Sequence, residues 1–202
     1  MINIGQILML MSRLAGAVLL AQLPGSSASR PDRPPSDQAN LCPIFAERPD
    51  WQEAVTASAR RWGAPVPVQM AILWKESGFR ADAKPPKKHI LGFIPWGRRS
   101  SAYGYPQAID GTWDWYRDET GNRGADRDDF DDAADFVGWY MSRTSRVNGV
   151  PMSDAYSHYI AYHQGHSGYR SGRWKQTGWL KRVAGEVDSR SRIYSRQLSR
   201  CS

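Results

Sequence analysis

The chain predicts a mainly helical domain interrupted by an irregular central lobe. Residues 68–75 (Val-Gln-Met-Ala-Ile-Leu-Trp-Lys) are apolar nearly all round, the mark of a helix buried on every side. Stretches before and after them carry helix start and stop signals. Between these helical regions, Gly78 to Gln107 contains Pro85, Pro86, Gly92, Pro95, Gly97, Gly104 and Pro106, which no regular helix can cross.

The N-terminal segment reads as an export signal. Residues 1–13 carry one positive charge, residues 14–23 are apolar, Pro24-Gly25 breaks the run, and Ser26-Ser27-Ala28-Ser29 supplies small residues for cleavage. The expectation is a signal over 1–28, with an uncleaved membrane anchor as the alternative. Residues 29–41, rich in Pro, Ser and charge, are expected to form a disordered linker before a single domain over 42–202.

The first helix is expected from Asp50 to Arg61, with Asp50 as cap, Glu53 completing a capping box, and Gly63 as the stop. Pro65 and Pro67 introduce the buried helix. Helical patterning resumes at Gly111–Tyr116 and again from Asp129 to Arg146. Ser153 is placed to cap a helix from Asp154 to Gln164 that closes at Gly165, and Leu180–Leu198 forms the last. The acids Asp126, Asp128, Asp129, Asp131 and Asp132 resemble a calcium loop in number only. They lack its glycine and terminal glutamate, and acids at a helix N-terminus account for them better.

The two cysteines, Cys42 and Cys201, lie at the two ends of the folded part. In an oxidising compartment they are expected to pair, the alternative being two buried thiols. Lys and Arg number 27 against 20 acids, a formal charge of +7. Export makes nucleic acid the weakest partner for this charge and an acidic wall polymer the strongest. Basic residues along 182–200 also fit a solvated helix face.

The sharpest chemical signal is the end of the buried helix: Trp74-Lys75-Glu76-Ser77-Gly78-Phe79. A carboxyl flanked by Trp74 and Phe79 is partly desolvated, which raises its pKa and keeps it protonated as a general acid. The competing reading is a helix-end glutamate turned to water. Nine Trp and nine Tyr offer apolar faces and polar edges for sugars. Trp96, Tyr103, Tyr105, Trp113, Trp115, Trp139, Tyr140, Tyr159 and Tyr162 are candidates to line a cleft, against ordinary core packing.

Three blocks carry a family resemblance. Glu76-Ser77-Gly78-Phe79 resembles the Glu-Ser opening of the soluble lytic transglycosylase domain. Ser101-Ala102-Tyr103-Gly104-Tyr105-Pro106-Gln107 resembles its second block, and Ala161-Tyr162-His163-Gln164-Gly165 its third, in the family's order. The chain departs from the usual pattern at Tyr105-Pro106, where the family has Leu-Met, and at His163, where it has Asn. The loop before the second block is also longer. These differences touch the cleft and its subsites more than the acid, and they mark a divergent branch, with 92–96 and 111–116 as further features of it.

The resemblance implies a lysozyme-like fold and cleavage between N-acetylmuramic acid and N-acetylglucosamine, with Glu76 as acid and then base. It implies that Tyr162 hydrogen-bonds and orients Glu76, that Gln107 shapes the sugar-binding wall, and that Ser77, Ser101, Tyr103 and His163 face substrate, with Ser100 as the alternative to Ser101. It implies no cofactor and peptidoglycan strands as partner. The export signal and paired cysteines fit the periplasm, with a secreted protein as the alternative; a monomer is expected, with a wall-assembly or secretion apparatus as a further partner. A water-using lysozyme and a non-catalytic wall-binding protein are the other readings. Asp82, Asp110 and Asp114 are better explained as turn and cap residues. His158, His163 and His166 are not spaced for one helix face, so no zinc site is expected.

Overall fold

The computed structural model describes residues 33–90, 94–98 and 100–201; the side chains of 87–98 are outside the description, as are the expected export signal over 1–28 and residues 29–32 of the expected linker. Among the described residues the domain is mainly helical. Seven α-helices surround one core, with a two-stranded hairpin as the only sheet: α1 (Leu41–Glu47), α2 (Pro49–Trp62), α3 (Val66–Ser77), β1 (Lys87–Ile90), β2 (Ile94–Arg98), α4 (Asp110–Thr120), α5 (Phe130–Asn148), α6 (Ala155–Arg170) and α7 (Gly178–Leu198). No described helix is long and apolar enough to cross a membrane.

Helix α3 is the axis of the fold. From Pro67 to Leu73 every residue is buried, and α3 packs against α7, α5 and α2. It starts two residues earlier than expected, because Pro67 sits in the first turn, where a missing N–H costs nothing. Gln69, the polar member of the run, is fully buried. Its amide donates to the carbonyls of Val55 (3.1 Å) and Ala64 (2.7 Å), which fastens the α2–α3 corner.

Helix α2 likewise starts on Pro49, with Arg48 as cap and no side-chain cap bond. The expected Asp50 capping box does not form, and Asp50 lies in the first turn. Gly63 ends α2 in the left-handed conformation as expected. Asp129 caps α5 by accepting from the amides of Asp131 and Asp132, and Asp132 accepts from the Asp126 amide, so the acidic group is a helix start. Asp154, not Ser153, caps α6. In α7 the buried positions Leu180, Ala184, Val187, Ser191 and Tyr194 fall on one stripe, as an amphipathic helix requires.

Helix α1, only seven residues long, was not expected, and the stretch before it is not a free linker. The Ser36 amide and hydroxyl donate to Glu47, the Gln38 amide donates to the Gly78 carbonyl, Tyr194 donates to the Gln38 carbonyl, and Arg48 donates to the Arg33 carbonyl. Residues 33–40 are polar because they bond to the body of the domain through polar groups.

Cys42 and Cys201 form the expected disulfide, with Cα atoms 5.2 Å apart and a sequence separation of 159. Closing so long a loop restricts the unfolded chain. Replacing both cysteines by serine is expected to lower unfolding stability by on the order of 4 kcal/mol with the native fold retained, as read from urea denaturation at neutral pH.

Candidate functional site

Glu76 lies in the last turn of α3, on the floor of a groove of about 590 Å³. Pro85, Ser100 and Gln107 of the central lobe and Ile109 and Thr112 at the start of α4 form one wall. Phe136 and Tyr140 of α5, with Tyr162, His163, Gln164 and Gly165 of α6, form the other. The groove therefore joins parts of all three blocks.

The chain turns sharply just after the acid. Gly78 caps α3 at φ 59°, and Phe79 follows in the same left-handed region. A bulky residue there is strained by on the order of 1–3 kcal/mol. Complete burial of the Phe79 ring, 5.6 Å from Trp51, offsets that strain. Phe79 thus serves the turn. Trp74 is drawn away to Arg190, whose guanidinium lies 4.3 Å from its ring.

The aromatic groups around the carboxyl come instead from α6. Tyr159 is its side-chain hydrogen-bond partner, and the half-buried Tyr162 sits close enough for each charge to disfavour the other. Burial pushes the Glu76 carboxyl from 4.5 up to about 7, against the opposing effects of Tyr159 and of the Lys75 charge. The ammonium of Lys75 pairs with Glu186 on α7. A carboxyl half-protonated near neutral pH can give a proton and take one back.

The expected Tyr162–Glu76 bond is not made. The Tyr162 hydroxyl donates to the Pro106 carbonyl at 2.6 Å, which ties α6 to the second block across the groove. Tyr159 was named in the sequence only among cleft-lining aromatics. Its spacing of three residues from Tyr162 puts both on one face of α6, which is the signal that links them.

The second block forms its wall through backbone. Gly104, at φ 73°, donates to the Ala83 carbonyl, and the Tyr105 amide donates to Arg127. A Cβ on residue 104 would lie 2.0 Å from the Arg127 carbonyl oxygen, so only glycine fits. Gln107 also takes a positive φ, 48°, and its amide donates to the carbonyls of Ala83 (2.8 Å) and Gly104 (2.9 Å). Its side chain braces the wall, and the residue lines the groove as expected.

Three expected substrate-facing residues point elsewhere. Ser77 is buried, with its hydroxyl donating to the Leu73 carbonyl one helical turn back. The Ser101 hydroxyl accepts from the Asp110 amide at the start of α4, which leaves Ser100 as the groove serine. The Tyr103 hydroxyl donates to Asp128 at 2.8 Å, in a separate polar hollow beside Arg127. Among the other aromatic candidates, Tyr140 lines the groove, whereas Tyr105, Trp113 and Trp139 are core.

The histidines are separated. His158 is buried and pushed down to about 4, His163 lines the groove, and His166 lies beyond the α6 kink. There, its ring stacks on Tyr140 at 4.5 Å and its Nε2 is 3.0 Å from the Thr144 hydroxyl. Gly165 makes the kink, at φ 73° and ψ 162°, and α6 resumes after it rather than ending. No group of three metal-binding side chains occurs among the described residues. A larger hollow of about 720 Å³ between α2 and α5 contains Asp135, but that carboxylate is occupied by Arg61, Trp62 and Tyr116.

This arrangement of a half-buried acid, a Gly-pinned wall and a tyrosine tie coincides with a family match. A family model described as the transglycosylase SLT domain matches residues 8–201. The chain belongs to this family. No curated protein matches it. The transglycosylase SLT domain here is mainly helical, as the three blocks implied.

The raised pKa has a thermodynamic signature. Below pH 4.5 Glu76 is protonated whether folded or not, and the carboxyl imposes no penalty. Between 4.5 and about 7 the unfolded chain ionises first, so stability falls as pH rises, and above that range the full penalty persists. Glu76→Gln is therefore expected to stabilise the fold at pH 8 by up to on the order of 3 kcal/mol and to change it little at pH 4. Urea midpoints of the two proteins at both pH values check this.

Proposed function

We propose that this transglycosylase SLT domain is a peptidoglycan lytic transglycosylase. The observation that carries the reading is a single carboxyl, raised to about 7, on the floor of a groove formed from all three sequence blocks. Its proton passes to the glycosidic oxygen as the bond from C1 of N-acetylmuramic acid breaks. The resulting carboxylate then takes the proton of that sugar's C6 hydroxyl while O6 attacks C1. The product is a 1,6-anhydro sugar, the acid ends as it began, and no water is consumed.

A two-carboxylate mechanism needs a second acid roughly 5–10 Å from the first. Between Asp82 and Asp110 the sequence contains neither Asp nor Glu, so the lobe wall has none to offer. Glu76 is the only acid lining the groove among the described residues. The substrate's own N-acetyl oxygen, beside C1, serves to steady the cationic centre in place of that second acid. Tyr159 orients Glu76 from α6, and His163, pushed below its ordinary pKa by burial, is a neutral hydrogen-bonding group at neutral pH. The segment 1–28 is consistent with export to the periplasm, where this substrate lies.

Mass spectrometry of sugars released from purified peptidoglycan by residues 29–202 tests the reaction. Products one water lighter than hydrolytic fragments are expected, together with their loss in Glu76→Gln. Reducing ends would instead make the protein a hydrolase. The rate is expected to fall as pH rises through about 7, because the acid form of Glu76 starts each turnover.

A further inference from the structure

Past His163 the groove wall does not end in an ordinary surface. The His163 ring packs on Trp179 in a T-shaped contact at 5.0 Å, and Trp179, in the first turn of α7, is 47% exposed. Most other tryptophans with described side chains are buried or packed against the core. An indole left open beside a groove, and held in place by a groove residue, is a ready-made apolar platform.

The chain around it is charged in one sense. Between Asp154 and Glu186 the sequence contains no acid and five cations, Arg170, Arg173, Lys175, Lys181 and Arg182. All five are exposed, and none forms an ion pair among the described residues. The Arg182 guanidinium turns back over the start of α7, where a Cβ on residue 178 would lie 3.6 Å from its nitrogen. The acids of α7 fall later: Glu186 pairs with Lys75, and Asp188 pairs with Arg192. These cations, of which Lys181 and Arg182 follow Trp179 along α7, are thus left for an anion from outside the chain.

We propose that Trp179 and these cations extend the Glu76 groove into a further carbohydrate subsite. A pyranose of the glycan strand stacks on the indole, while Lys181 and Arg182 attract the carboxylates borne by the strand's acidic sugars. This rests on the reading of the groove as a peptidoglycan site. It adds that the strand runs past His163 onto α7, so that longer strands gain affinity from a surface outside the three blocks. The pairing of a flat apolar face with unpaired cations selects an acidic glycan over a neutral one.

The test uses the Glu76→Gln protein, isotope-labelled, titrated by NMR with an eight-sugar strand of alternating N-acetylglucosamine and N-acetylmuramic acid. The expected result is a shift of both the His163 ring and the Trp179 indole Nε1–H resonances. Adding Trp179→Ala should weaken binding about tenfold, the loss typical of truncating an aromatic anchor, and Trp179→Tyr should recover most of it. Because Trp179 is half exposed, its thermal midpoint should stay that of the parent. Changing Lys181 and Arg182 together to Gln should weaken the acidic strand and leave binding of a neutral N-acetylglucosamine octamer unchanged. If His163 shifts while Trp179 does not, and Trp179→Ala binds as tightly as its parent, the subsite is overturned and the groove reading stands. If neither resonance moves, both fail.

Discussion

Helix α3 has no water-facing side through most of its length, and the rest of the domain is arranged around that fact. Its run from Pro67 to Leu73 is satisfied only when α2, α5 and α7 close on it. Closing them fixes where the helix ends, and the end is where Glu76 sits. The free energy of an apolar core thereby determines the position of a polar atom. Burial also raises the carboxyl's pKa, so the same packing supplies both its place and its protonation. The acid makes the fold less stable at neutral pH, as functional groups held out of water commonly do.

The opposite wall follows a different logic. The central lobe contains little regular structure, and its precision comes from backbone contacts that admit one residue type. Gly104 presses on the Arg127 carbonyl, while Arg127 donates to the carbonyls of Ser101 (3.1 Å) and Ala108 (2.8 Å) and pairs with Asp110. One arginine thus gathers the second block and the start of α4. The Tyr162–Pro106 bond ties this assembly to α6. Tyr162 in consequence spans the two walls, while Tyr159 attends to the acid.

Features that depend on local chemistry could be read from the chain. The apolar-to-acid break exposed Glu76, Gly63 marked a helix end, Asp129 marked a helix start, and cysteines at the two ends of the folded part marked the disulfide. Features that depend on where a side chain points after packing could not. Ser77 and Ser101 lie in the right blocks, yet each hydroxyl is consumed by a nearby backbone group. Tyr103 turns to Asp128 because an acid 25 residues away becomes its neighbour only in the folded chain. Helix boundaries near Pro49, Pro67 and Asp154 moved by a residue or two, since several residues there compete for the same capping position.

The disulfide has a mechanical consequence. Cys42 stands at the start of α1 and Cys201 just past the end of α7, so the covalent link turns everything from α1 to α7 into a closed ring. Tension applied to the polypeptide at either side reaches that link before it reaches any helix. It can strip residues 33–40 from their hydrogen bonds, but it cannot unwind α1 or peel α7 from α3. A tether pulled by a growing polymer or a membrane would therefore load a covalent bond and leave the groove undistorted.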